Sequence, residues 1–215
     1  MLSNPANNYI LTLDTASLKP NFSIFSPMEG LKTINLYNTD SDKYDAAYFV
    51  NYLVEAGIKA HEINILGICD GPGAFSPLRA GIIIARLLYA LNPNLKVYKF
   101  NKLYLLYRQL KAQNLIPAKQ NYIYLKAGLK GYFNEVYDRE FNIIEKAHLI
   151  ENINEINEID ESEIIIENPD NYLSETIMNL LLNENCETFL INDLQDLKPN
   201  YIREPSVTAK KQVVF

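Results

Sequence analysis

Histidine, cysteine, long apolar runs and basic charge are all in short supply in this chain of 215 residues, and each shortage removes a class of function. The only two histidines, His61 and His148, form no HxxxH pair and no paired Cys/His spacing, so metal chemistry is not expected. The same scarcity weighs against a hydrolase, because a serine or cysteine nucleophile needs a positioned base. Both histidines read as surface residues, His61 in a loop between a helix and a strand. The two cysteines, Cys69 and Cys186, are far apart and make no metal-like spacing. No apolar run approaches the ~20 residues that cross a bilayer, and the first residues show neither a basic nor an apolar targeting segment. The expectation is a cytoplasmic chain with both thiols reduced. Lysine and arginine total 20 against 26 acids, a formal charge of -6, which argues against a protein whose main task is to grip a phosphate backbone.

What is present is ordinary globular material. Apolar residues make up 48% of the chain and charged residues 21%, so neither disorder nor a membrane class is indicated. The length suits one large domain or two small lobes with a sizeable core.

The pattern along the chain predicts an α/β order. Apolar runs at 9–13, 22–25 and 31–37 read as three strands, the last two joined by a turn containing Ser26, Pro27 and Gly30. Residues 43–56 have helical periodicity closed by Gly57, with Ala46, Phe49, Val50 and Leu53 on one face and Tyr44, Tyr48 and Tyr52 on a second stripe. A strand at 63–69 then runs through a glycine-rich turn into a helix at 78–91, with Ser76 as N-cap and Pro77 as first helical residue. This helix carries only Arg79 and Arg86 as charges, on one face with Ile83 and Ala90, so it is expected to be covered on more than one side. A strand at 97–100 and a helix at 102–113 complete a βαβα series. Strand-like runs at 122–125, 133–137 and 141–146 open a second, smaller lobe. The Ile/Asn/Glu-rich stretch 151–167 shows no repeat period and receives no function. A helix at 173–182, a strand at 188–191 and a surface tail at 198–215 finish the chain. The expected division is an N-terminal lobe over 1–115 and a C-terminal lobe with tail over 116–215.

The most informative segment is Gly71-Pro72-Gly73-Ala74-Phe75-Ser76-Pro77-Leu78-Arg79-Ala80-Gly81. Its glycines permit a sharp strand-to-helix turn, and free N–H groups at a helix start can also hold an anion. Together with Leu13-Asp14-Thr15 it resembles the GPGSFTGLR signature of the TsaB (YeaZ) family. A third match, Lys198-Pro199-Asn200-Tyr201-Ile202-Arg203, resembles that family's P-x-Y-L-R segment. Order and spacing agree for all three, so the resemblance spans nearly the whole chain. Its motif residues here are Asp14, Thr15, Gly71, Pro72, Gly73, Phe75, Ser76, Arg79, Pro199, Tyr201 and Arg203.

The resemblance implies an actin-like ATPase fold (ASKHA, ribonuclease H-like), with two lobes and a mixed sheet flanked by helices, and without catalysis of its own. Such a subunit pairs with a catalytic TsaD-like paralogue through its two N-terminal-lobe helices, and a TsaE-like ATPase joins them. The complex transfers a threonylcarbamoyl group to the adenosine beside the anticodon, and this chain would meet tRNA only through it. ATP and metal are expected on the partner subunits. The expected interface residues are Tyr44, Tyr48, Tyr52, Ile83, Arg86 and Ala90, the positions left over once a core is packed.

Departures bear on the alternatives. Where the family often opens its second lobe with an Asp-Ala-Arg-x-Gly-Glu segment, this chain has Lys126-Ala127-Gly128-Leu129-Lys130-Gly131. Lys126 replaces the acid that helps hold Mg²⁺ and nucleotide in actin-like kinases, which weakens the reading as a small nucleotide-dependent kinase or ATPase. Asp14 reads as an Asx-turn residue, with a relic of the first phosphate loop as its alternative. A homodimer of unknown role is the third reading, using the same helix faces about a two-fold axis.

Overall fold

Leu11 and Leu13 of the first strand, β1 (Tyr9–Asp14), enter a cluster with Phe22 and Ile24 of β2 (Asn21–Ser26). Thr12, between them, faces the other way, as strand alternation requires. β3 (Gly30–Asn35) follows through the predicted turn, and β1, β2 and β3 form an antiparallel meander. A computed structural model describes residues 8–38, 43–44, 46–115, 120–127, 131–138, 140–151, 163–166 and 172–202.

The helix expected over 43–56 is shorter. Tyr37–Asn38 (β4) pairs antiparallel with Lys43–Tyr44 (β5), and α1 runs only over Ala46–Glu55. Backbone groups committed to that small ladder cannot also make the first helical turn, so Tyr44 is a strand residue. β6 (Ile63–Gly71) and β7 (Lys96–Asn101) then add parallel to β1, with α2 (Phe75–Leu91) between them and α3 (Lys102–Ala112) after them. The five-stranded sheet has the order β3-β2-β1-β6-β7.

A second sheet of four strands follows. β8 (Gln120–Lys126), β9 (Tyr132–Asp138) and β10 (Ile143–Ile150) are antiparallel, and β11 (Glu163–Ile166) pairs parallel with β8. β11 lies inside the Ile/Asn/Glu-rich stretch to which the sequence assigned no function; residues 152–162 lie outside the described residues.

α4 (Leu173–Asn183) returns to the first sheet, where it packs on β1, β2, β6 and α3. Thr12 Oγ1 donates to the Ser174 carbonyl at 2.7 Å, and Ser23 Oγ meets Ser174 Oγ at the same distance. Two layers of helix thus sandwich the sheet. Phe49 and Leu53 of α1 join Ile82, Ile84, Ala85 and Leu88 of α2 in one cluster. Leu103, Leu105 and Leu106 of α3 join Leu173, Ile177 and Leu180 of α4 in another. The strand expected at 188–191 is instead a 3-10 turn, Glu187–Phe189, with a single bridge between Leu190 and Tyr98.

Candidate functional site

The parallel strands β1, β6 and β7 end on one edge of the sheet, the edge where open α/β folds place their ligands and contacts. Asp14 ends β1, and its Oδ1 accepts the backbone N–H groups of Ala16 at 2.9 Å and Ser17 at 3.2 Å, the expected Asx turn. Cys69 of β6 lies beside Asp14 in register, and Gly71 pairs with Asn101 of β7. Pro72 is buried beneath the turn. A Cβ on Gly73 would lie 2.8 Å from Ala16 Cα, and one on Gly81 would lie 3.0 Å from Thr15 Cγ2. These two glycines therefore let the glycine turn and α2 close directly onto Asp14-Thr15-Ala16.

The third sequence match joins the other two. Asn200 N donates to the Asp70 carbonyl at 2.7 Å, the Tyr201 ring meets Phe75 at 5.1 Å between centroids, and Arg79 Nε donates to Tyr201 Oη at 2.8 Å. Further along, Arg86 donates to the Leu197 carbonyl at 2.8 Å, and Lys99 Nζ donates to that of Asp196 at 3.3 Å. Residues 197–202 are thus a strap laid along α2 and over the end of β6. Leu197 is fully buried and Pro199 half-buried, so this part of the expected surface tail is packed. Arg203 lies outside the described residues.

Three charged groups that the motifs did not point to occupy the same edge. Lys102, at the start of α3, is buried, and its ammonium donates to the Ala16 carbonyl at 3.0 Å. Burial pushes the Asp14 carboxyl up and the Lys102 ammonium down, and each opposes the other's shift. Asp70 has one oxygen 3.6 Å from Lys99 Nζ, and burial pushes its pKa up to about 7. Glu135 of β9 accepts from Asn101 Nδ2 at 3.0 and 3.2 Å and from the Tyr137 hydroxyl, joining the two sheets. Burial also raises the Glu135 carboxyl. Lys126 is exposed at the end of β8.

The start of α2 differs from the sequence expectation. Ala74 is the N-cap, Phe75 the first helical residue, and no side chain caps the end; Ser76 is exposed. Pro77 is tolerated as the third residue because the first four helical N–H groups lack intrahelical acceptors in any case. Cys69 is buried, and burial pushes its thiol up. His61 and His148 hydrogen-bond no serine, threonine or cysteine side chain among the described residues, and no cluster of three or more His, Cys, Asp or Glu there could hold a metal ion.

Part of the expected interface is exposed. On α2, Ile83, Leu87 and Leu91 are 64%, 53% and 60% exposed, and Arg79, Arg86 and Ala90 are exposed beside them. On α1, Tyr48 is exposed, but Tyr52 packs edge-on against Phe22 at 5.2 Å between centroids and joins the core. Val50, assigned to the core face from its periodicity, is exposed instead, as is Val54. The helix is rotated so that Phe49, Tyr52 and Leu53 face Phe22, because two aromatic rings fill that space better than a valine. On the opposite side of the sheet, a groove of about 610 Å³ lies between α3 and α4 around Arg108 and Glu184, away from every motif residue.

Neither a family model nor a curated protein sequence matches the chain. Solved structures do. An uncharacterized protein described as similar to peptidase YEAZ from Pseudomonas aeruginosa matches with a TM-score of 0.63 at 14% identity, over 91% of this chain and 100% of that one. YeaZ from Pseudomonas aeruginosa itself matches with a TM-score of 0.52 at 16% identity, over 68% of each chain. The chain has the YeaZ fold. Its mixed sheet with flanking helices is the α/β architecture expected from the sequence. No helix among the described residues is long and apolar enough to cross a membrane.

Proposed function

We propose that this chain is a cytoplasmic, non-catalytic scaffold or activator subunit that pairs with a TsaD-like transferase for threonylcarbamoyl transfer to the adenosine beside the anticodon of tRNA. The observation that carries this reading is the exposed apolar stripe of α2, Ile83, Leu87 and Leu91, on a YeaZ fold. Contiguous exposed apolar surface rimmed by polar groups marks contact with another protein. A TsaE-like ATPase would join the pair, ATP and metal would sit on the partners, and tRNA would be reached only through the complex. The net charge of -6 supports leaving the nucleic acid to another subunit.

Two observations speak against a kinase or ATPase of its own. Lys126 stands where such an enzyme needs an acid, and the Lys102 ammonium already sits against the loop that follows Asp14. A peptidase, the word attached to one structural relative, needs a nucleophile beside a base, and the described histidines offer no such pair.

The test is light scattering after size exclusion, on this chain alone and mixed with the TsaD-like protein of its own organism. A one-to-one heterodimer is expected, and Ile83→Asp should weaken it by roughly 30-fold or more while leaving circular dichroism and melting near normal. Pairing unaffected by Ile83→Asp would overturn the choice of face. A stable homodimer that does not yield to the partner would favour the two-fold reading.

A further inference from the structure

Arg79 and Arg86 lie seven residues apart on α2, about 10.5 Å along the axis at a 1.5 Å rise, and both flank the exposed stripe of Ile83, Leu87 and Leu91. Each is held by a neutral group of the strap: Arg79 by the Tyr201 hydroxyl, with its guanidinium 5.8 Å from the Tyr201 ring centroid, and Arg86 by the Leu197 carbonyl. Neither makes an ion pair among the described residues. The helix has no acid in its length, and the only acid in α1 is Glu55, its last residue. A chain that is acidic overall therefore presents, among the described residues, two fixed cations without an ion pair beside an exposed apolar stripe.

From this charge pattern we infer that the α2 face is read by a partner surface whose apolar ridge is flanked by carboxylates spaced to meet Arg79 and Arg86. The strap is the positioning element that aims both side chains. This rests on the pairing proposed above and adds the chemistry that selects the partner. A neutral guanidinium acceptor such as a carbonyl leaves the charge available to a second acceptor, since each guanidinium carries five N–H donors. Rim charges of this kind set association rate, salt dependence and partner choice more than total affinity. A second copy of this chain is a poor fit, because a two-fold contact of α2 with α2 would bring four arginines together with no carboxylate between them.

The experiment is calorimetric titration of this chain with the TsaD-like protein at 50 mM and 500 mM NaCl. Wild-type affinity should fall about fivefold or more across that range, as exposed charge pairs are screened. The Arg79→Gln/Arg86→Gln variant should bind about tenfold more weakly at 50 mM and show little salt dependence. Because Arg86 also holds the strap, Arg79→Lys/Arg86→Lys is the control: it keeps both charges and should keep the salt slope even if the strap loosens. Tyr201→Phe, which removes one anchor and no charge, should keep it too. Wild-type binding and salt slope in the glutamine variant, with Ile83→Asp still weakening pairing, would overturn the inference and leave the face intact. Pairing that survives Ile83→Asp would remove the reading beneath it as well.

Discussion

Asp70 closes β6 with one carboxylate oxygen 3.6 Å from the Lys99 ammonium and the other without a hydrogen bond among the described residues. Its pKa, pushed up to about 7 by burial, exceeds the ordinary value of 3.8, so between these two pH values the folded chain holds more proton than the unfolded one. Stability from this group is therefore fully present at low pH and is lost as pH rises through about 7. Asp70→Asn should remove that loss: urea denaturation should find the variant gaining on wild type by on the order of 1–2 kcal/mol between pH 5 and pH 8. Equal gaps at the two pH values would show that Asp70 does not titrate in this window. At this scale the sequence reveals what is local. Asp14 was legible as an Asx turn because the backbone N–H groups that donate to it lie two and three residues away. The Lys102 contact with Ala16 spans 86 residues and the Asn101 contact with Glu135 spans 34, and no local pattern records either.

Among the elements, the glycine turn and α2 owe their position to two side chains that are missing. Gly73→Ala would drive a methyl into Ala16 backbone, which is fixed by the Asx turn, whereas Gly81→Ala would meet the Thr15 side chain, which can rotate. Gly73→Ala should therefore cost more, about 3 kcal/mol against about 1 for Gly81→Ala, in chemical denaturation. The reverse order would mean that the loop after Asp14 yields more easily than the Thr15 rotamer. Strands and helices of this sheet were readable from period and turn residues, but their ends and rotations were not. Three tyrosines at helical spacing suggested one exposed stripe; Tyr44 is a strand residue, Tyr52 packs against the core and Tyr48 is exposed. Periodicity fixes which residues share a face, and packing partners decide which face turns inward.

For the whole molecule, one polar link between the two sheets is Asn101, which accepts from Leu103 N at 2.8 Å as the α3 N-cap and donates twice to Glu135. Asn101→Ala should destabilise the chain by about 2 kcal/mol through the lost cap and a buried carboxylate stripped of a donor. Asn101→Asp, which keeps the cap but faces Glu135 with a second acid, should do no better at neutral pH. Urea midpoints of both variants check this; a mild effect of Asn101→Asp would assign the residue's role to the cap alone. The first sheet's last strand ends at Asn101 and the second sheet's first begins at Gln120, yet the first sheet is covered by α4, far beyond both. That long-range return was invisible to a reading that proceeds from one end.

The return has a consequence for synthesis. The sheet of β1, β2, β6 and β7 lacks its α4 cover and its strap until residues 172–202 have left the ribosome, so an elongating chain of 115 residues exposes Thr12, Ser23 and the apolar back of β6 to solvent. Nascent lobes usually fold in order of emergence. Here the sheet that emerges first is completed last, once residues 172–202 have been made.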